Sequence, residues 1–434
     1  MTTTPTPKDA PDTTKKISIL SDPRVIAFLL FLLSGVIYLL CSKREFNWYN
    51  NYSYLADALL HGHIDVPNIP DYLESVAFRG HTYMHFAPGG AWISLPFVAL
   101  FGIEGFNCAY LTLFLGAVDS ALAYLALEQL KLGKSIRSRI VLTLMLTIGT
   151  VHFYCSSLGG SWQLGHISTM FFLLLSWNFL FSVKSADTPK GYLRIFLCGL
   201  FFGLAVCCRL SALLGAVFIL YYIYTIYRFD IKAYLSFCCG AAIFGSLYML
   251  YNFVRFGTIM DEGYSLTYLK DYHREVYNQL QNAPLSEQRR LFKAYKKECG
   301  GPLQLKFVSY NLYSILMMAP TFSHDFPYLI PELTGVAITF TSPMLYLAVT
   351  ARQKKGIVIA LWISAIATAI PFMMNYGNGM GQFGMRYSLD FTPYLWLLMC
   401  LGLGKTKLRW WMIAGFIFCF ASNLWGALYW KFYY

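Results

Sequence analysis

The stretch AWISLPFVALFG, Ala91 to Gly102, decides how the rest of the chain threads through a membrane. It is apolar but only twelve residues long, with Pro96 inside, and a helix needs roughly 17–25 residues to cross the hydrocarbon core. A short apolar piece with an internal proline fits a re-entrant or interfacial position. Counted as a span, it would turn every later cluster of Lys and Arg to the outer side. Kept at one surface, it leaves them all on the side of the N-terminus.

The surrounding chain needs a membrane. Of 434 residues, 57% are hydrophobic, 18% aromatic and only 13% charged, with mean hydropathy +0.48, which excludes a water-soluble protein of this length. The sequence predicts an all-α polytopic membrane protein. Besides Ala91–Gly102, eleven segments read as spans: Val25–Cys41, Cys108–Leu130, Ile140–Cys155, Ile167–Val183, Tyr192–Cys208, Leu210–Tyr227, Tyr234–Phe253, Val336–Val349, Ile357–Met374, Phe391–Gly402 and Trp411–Trp430. The clusters Lys131/Lys134/Arg137/Arg139, Lys184/Lys190/Arg194, Arg228/Lys232, Arg352/Lys354/Lys355 and Lys405/Lys407/Arg409 then share a side with Lys8, Lys15, Lys16 and Arg24. The positive-inside rule makes that side cytoplasmic. The net charge of +12 is therefore a topology signal, not a nucleic-acid footprint.

Residues 1–24, opening on a Thr- and Pro-rich run, read as a disordered cytoplasmic tail, and residues 25–434 as a single transmembrane domain. No small-residue cleavage site follows the first apolar segment, which is expected to be retained. Two large polar regions, 42–107 and 254–335, face the non-cytoplasmic side. The second contains LSEQRRLFKAYKKECGG, a basic helical run expected to stop at Gly300–Gly301. Of eleven cysteines, Cys299 alone lies well inside a polar stretch, so no disulfide or zinc framework is visible.

Titratable groups gather in the first polar region. In NNYSYLADALLHGHIDVPNIPDY, Asn50–Tyr72, the residues Tyr54, Leu55, Ala58 and Leu59 mark an amphipathic helix on which Asp57 and His61, four apart, share a face. Carboxylate and imidazole so placed can hold or exchange a proton; the plainer alternative is an exposed ion pair. Asp65 follows in a Pro-rich segment. FRGHTYMHFAPGG then alternates Arg79, His81, Tyr83 and His85 in strand fashion. His-x-x-x-His in an extended segment is a weak metal signal, and hydrogen-bonding roles are preferred.

Further candidates lie at span ends. SLGGSWQLGHIST puts Trp162, Gln163 and His166 at the outer mouth of one. Asp119, in LFLGAVDSALAYL, sits mid-span, where an acid is by default a functional-site hypothesis; its rival role is a structural pair with Arg209. YNFVRFGTIMDEGYS supplies Arg255, Asp261 and Glu262, and NYGNGMGQFGMRYSLD supplies Gln382, Arg386, Tyr387 and Asp390. Arginine among glycines, which let backbone N–H groups approach a ligand, suits a phosphate. Snorkelling arginine is the alternative.

Taken together, YLADALLHGHIDV, FAPGGAWISLPFVALFG, IGTVHFYCSSLGGSWQLGH, YNFVRFGTIMDEGYS and GQFGMRY, spread over residues 47–390, resemble the GT-C superfamily of multi-spanning glycosyltransferases that use polyprenyl-phosphate sugars, a group including protein O-mannosyltransferases and aminoarabinose transferases. The resemblance implies inverting transfer of a sugar from the lipid carrier to a lipid, glycan or protein hydroxyl. A carboxylate takes the hydroxyl proton and arginine steadies the departing phosphate, with no cofactor, nucleotide-binding fold or metal required. The superfamily places an acidic pair a few residues past the first span, where this chain reads FNWYNNY. The resemblance therefore points to Asp57 as base, steered by His61, with Asp65 as the next candidate. Arg386, Tyr387, Gln382, Arg255, His85 and His166 stand as substrate or phosphate ligands, and Asp119 and Arg209 as intramembrane candidates. The expected location is a bacterial cytoplasmic membrane, with the N-terminus inside. Alternatives are a lipid-linked-sugar flippase or other transporter, a surface-polysaccharide polymerase or ligase, and a non-catalytic scaffold.

Overall fold

Asp22 opens the first long helix: its side chain accepts from the Arg24 backbone N–H at 2.8 Å, and Pro23 supplies a φ already set for the first turn. The helix, α1 (Pro23–Cys41), begins the architecture seen in the computed structural model, which describes residues 21–184, 188–260, 263–404, 406–407 and 409–433. The Thr- and Pro-rich tail as far as residue 20, and Asp261 and Glu262, lie outside the described residues.

After α1 come α2 (Asn51–Leu60), a hairpin of β1 (Val76–Phe78) and β2 (His81–Tyr83), and α3 (Gly89–Gly105). The bundle continues with α4 (Cys108–Leu130), α5 (Ile136–Thr147), α6 (His152–Leu158), α7 (Ser161–Phe181), α8 (Pro189–Cys208), α9 (Ala216–Tyr227), which a 3₁₀ turn Leu210–Gly215 introduces, and α10 (Ile231–Phe256). The second polar region holds α11 (Gly263–Tyr272), α12 (Arg274–Asn282), α13 (Leu285–Cys299), α14 (Val308–Leu316) and a small hairpin of β3 (Thr321–Phe322) and β4 (Leu329–Ile330). The chain ends with α15 (Ile338–Thr341), α16 (Lys355–Met374), α17 (Thr392–Leu403) and α18 (Trp410–Tyr433).

Among the described residues, eight helical segments are long and apolar enough to cross a membrane, or nine if α5 and α6, bent by 62°, count as one. This is a polytopic all-α membrane protein. Two of the eleven expected spans take shorter forms. Val336–Val349 becomes the four-residue α15 and a 3₁₀ turn, Pro343–Thr350, broken at Ser342–Pro343. Phe391–Gly402 becomes the twelve-residue α17, buried on nearly every side and continuing a 3₁₀ turn, Arg386–Asp390. At the α5–α6 bend the Tyr38 hydroxyl donates to the freed Thr147 carbonyl at 2.9 Å.

Ala91–Gly102 forms most of α3, which is interrupted at Gly102 (φ 70°) and falls short of the eight long segments. Its Pro-Gly-Gly start is sterically required: a Cβ at Gly89 would lie 2.6 Å from the Cys207 backbone, and one at Gly90 2.5 Å from the Tyr52 ring. Glycine lets α3 start flush against the end of α8.

The two polar regions fold together around a core of their own. Val76, Phe78 and Tyr83 of the hairpin pack with Phe256, Leu266, Leu269, Tyr277, Leu280 and Phe292. Hydrogen bonds reinforce the join: the Ala77 N–H donates to the Tyr277 hydroxyl at 2.9 Å and the Arg79 N–H to Gln288 Oε1 at 2.7 Å. The basic helix α13 stops at Gly300 (φ 76°), where the sequence places its end. This outer unit caps the ends of α7, α8 and α16 opposite to those from which the Lys- and Arg-rich connections leave.

Candidate active site

Between the outer unit and the bundle lies a cavity of about 650 Å³. Trp162 and His166 reach it from the first turns of α7, Arg209 from the end of α8, and Arg386, Tyr387 and Asp390 from the turn before α17. The outer unit contributes Glu74 and His85 from the two sides of the hairpin, and Asp271 from α11. Seven of the residues singled out in the sequence thus converge: His85, Trp162, His166, Arg209, Arg386, Tyr387 and Asp390.

Arg386 is the central cation. Only 4% exposed, it has no carboxylate within 4.0 Å among the described residues, and its Nη1 is buried without a hydrogen-bond partner there. It rests on aromatic faces instead, 5.6 Å from the centre of Trp162 and 5.2 Å from that of Tyr387. Such a charge is costly to bury alone, so a site that keeps one is built for an anion. Gly379 makes room for it, since a Cβ there would sit 3.0 Å from Arg386 Nη2, and its φ of 84° disfavours any side chain.

Glu74 faces this cation. Its Oε2 accepts from the Trp162 indole N–H at 3.1 Å and lies 3.7 Å from His85 Nε2, while 47% of its side chain stays open. Burial raises the Glu74 carboxyl above the ordinary glutamate range, although the Trp162 hydrogen bond, then Arg386 and Lys270, draw it back part of the way. His85 is buried, and desolvation pushes it down to about 3, so it is neutral near pH 7. Arg209, by contrast, is already paired: it donates to both oxygens of Asp390 at 2.7 and 2.8 Å, with Ser211 at 2.8 Å and His166 at 3.4 Å. This fork fixes the turn that carries Arg386.

Other expected residues stand apart from the cavity. Asp57 and His61 share a helix face as their spacing requires, but at 39% and 70% exposure they form a surface pair, Nδ1 to Oδ1 3.7 Å. Asp65 is held by His81 at 2.8 Å and His63 at 3.5 Å, off the cavity. Arg255 donates to the Met84 carbonyl at 2.8 Å and to Asn252 Oδ1 at 2.7 Å, tying the end of the hairpin to α10. Gln382 braces its glycine-rich loop, donating to the Thr334 and Asn378 carbonyls. Asp119 takes His152, at 2.9 Å, as its buried partner in place of Arg209.

A second cavity, about 280 Å³, lies on the other side of Trp162 and is lined by the chain just past α1. Here Asn47 donates through Nδ2 to the Gly159 carbonyl at 2.7 Å, a bond that no aspartate at 47 could make. Glu45, the acid nearest the end of α1, lines this smaller cavity. Sequence reasoning passed over Glu74 and Asp271 because neither shares a local motif with the residue that it bonds. Their partners are 88 residues away for Glu74 and 105 for Asp271.

No protein-family model matches the sequence, and no curated protein matches it. Solved structures do. The oligosaccharyltransferase of Archaeoglobus fulgidus, tethered with an acceptor peptide containing the NVT sequon, superposes with TM-score 0.51 at 11% identity over 94% of this chain. Its apo form gives 0.50 at 12% identity over 93%. ArnT from Cupriavidus metallidurans, bound to undecaprenyl phosphate, gives 0.49 at 11% over 88%. The chain spans 55% of the length of the oligosaccharyltransferase and 61% of that of ArnT.

Proposed function

We propose that this chain, which has the fold of the GT-C membrane glycosyltransferases, moves a sugar from a polyprenyl-phosphate carrier to a hydroxyl of a lipid, glycan or protein acceptor. The observation that carries this reading is the buried, acid-free guanidinium of Arg386 opposite Glu74 in one cavity. The donor phosphate fills the place beside Arg386. The acceptor hydroxyl attacks the anomeric carbon, Glu74 takes its proton, and the carbon–oxygen bond to phosphate breaks with the electron pair leaving on phosphate, where Arg386 balances the added charge. A single displacement inverts the anomeric centre. The raised basicity of Glu74 suits it to the role, and Glu74 replaces Asp57, Asp65 and His61 as the proposed base because they lie outside the cavity.

Sidedness supports the same scheme. The described residues of the five basic connections lie at helix ends remote from the cavity, which favours a non-cytoplasmic site with the N-terminus inside; the membrane proposed is a bacterial inner membrane. The smaller cavity behind Trp162 offers the acceptor a separate approach. Mass spectrometry of envelope lipids and glycans is the test. Cells lacking the protein are expected to lose one sugar, restored by the wild-type chain but not by Arg386→Ala. Unchanged glycans with an altered sidedness of the lipid-linked sugar would identify a transporter instead.

A further inference from the structure

Helix α11 turns one face to the cavity: Tyr264, Thr267 and Asp271, at positions i, i+3 and i+7, all line it. The proposed reaction needs one carboxylate as base, yet among the described residues three line the cavity: Glu74, Asp271 and Asp390. Asp390 is committed to Arg209, and Glu74, oriented by Trp162, is the proposed base. Asp271 has no cation within 4.0 Å among the described residues; its Oδ2 accepts from the Tyr376 hydroxyl at 2.9 Å, which leaves Oδ1 without a hydrogen-bond partner among them. Tyr376 is itself held to the outer unit, its backbone N–H donating to the Pro302 carbonyl at 2.9 Å. An oriented carboxylate with a spare oxygen, in a cavity also lined by Thr267, Tyr264 and Trp162, is the chemistry of polyol recognition.

We infer that Asp271, positioned by Tyr376, accepts hydroxyl groups of the donor sugar and makes the cavity selective for uncharged, hydroxyl-bearing sugars over uronic acids. The inference rests on the reading of this cavity as the site of sugar transfer. A uronate would bring a further carboxylate into a cavity already lined by Glu74, Asp271 and Asp390, with Arg386 engaged by phosphate. Asp271 does not take part in the chemistry; it adds affinity through hydrogen bonds to a charged acceptor, worth about 10- to 100-fold in binding.

The test is isothermal titration of the full chain in nanodiscs with citronellyl phosphodiesters of glucose, mannose and glucuronic acid, and with ethyl citronellyl phosphate as the sugar-free diester. Wild type is expected to bind the glucose or mannose diester more tightly than the ethyl diester, and the glucuronate more weakly than either neutral sugar. Asp271→Asn should cut that sugar advantage by about 10- to 100-fold and narrow the discrimination against glucuronate, with the ethyl diester affinity and the melting temperature unchanged; Tyr376→Phe should shift it the same way by less. Wild-type sugar advantage persisting in full in Asp271→Asn, or absent in wild type for both neutral sugars, overturns the inference. Arg386→Ala separates the two levels: it should abolish binding of the ethyl diester. Unchanged binding there would overturn the phosphate-site reading and the inference with it, whereas lost binding there beside an unaltered Asp271→Asn would overturn the inference alone.

Discussion

Glu74 and Arg386 meet across a single ring: the Trp162 indole N–H donates to Glu74 at 3.1 Å, and the Arg386 guanidinium lies 5.6 Å from the centre of the same side chain. A direct ion pair between the two would satisfy both charges and close the anion site. The tryptophan keeps them in one cavity but apart, which leaves the cation free for phosphate and the carboxylate free to take a proton.

The first consequence concerns pH. Because Glu74 must be ionised to act as base, transfer should fall as pH drops through its raised pKa, giving an acid limb above that of an ordinary glutamate. The Trp162 hydrogen bond and the Arg386 charge both favour the ionised form, so Trp162→Phe and Arg386→Lys should respectively raise and preserve the position of that limb. A pH–rate profile of each variant checks this. An acid limb in Trp162→Phe at or below that of wild type would remove Glu74 from the role.

Removing the Arg386 charge altogether should slow transfer by about 10²- to 10³-fold, the usual cost of losing one donor to developing negative charge. Steady-state rates in detergent or nanodiscs would measure it, and the loss should appear in both donor affinity and turnover.

Asp57→Asn and His61→Ala should leave transfer intact and change stability by no more than about 0.5 kcal/mol, because an exposed pair at 3.7 Å contributes little. Asp119→Ala should do the reverse. It strands His152 in a site where both side chains are fully buried, and breaking such a pair costs about 3–5 kcal/mol. Thermal melting should drop sharply, and detergent extraction at low temperature should still yield protein that binds the donor.

His85 supplies a second pH effect, on stability rather than on transfer. Its folded pKa of about 3 lies below its ordinary 6.5, so the unfolded chain binds a proton that the folded chain refuses. The stability contributed by the neutral ring is complete above about pH 6.5 and is lost as pH falls from there towards 3. Melting temperatures of wild type and His85→Gln over that range should diverge at neutral pH and converge on acidification.

Much of the fold was legible because membrane spans are written in local composition. The segments read as Val25–Cys41, Cys108–Leu130 and Ile357–Met374 form helices within two residues of those bounds, and Gly300 marks a stop. Segments whose order depends on neighbours were less legible: Val336–Val349 is apolar enough for a span, but Pro343 breaks it into short turns packed beside α18. The phosphate side of the site was visible in GQFGMRY, where glycines surround an arginine. The acid side was not, because Glu74 gains its meaning only when a hairpin from one polar region folds onto helices of another and meets Trp162. Asp57 offered a periodic signal, but the face that it shares with His61 points to solvent.

The most direct measurement is sugar transfer by purified Glu74→Gln, using the donor identified from the missing envelope sugar, beside Asp57→Asn and Glu45→Gln. The expected result is a fall of about 10²- to 10⁴-fold for Glu74→Gln, with donor binding retained and both companions near the wild-type rate. Full transfer by Glu74→Gln, or a comparable loss in Asp57→Asn, would contradict the assignment of the base.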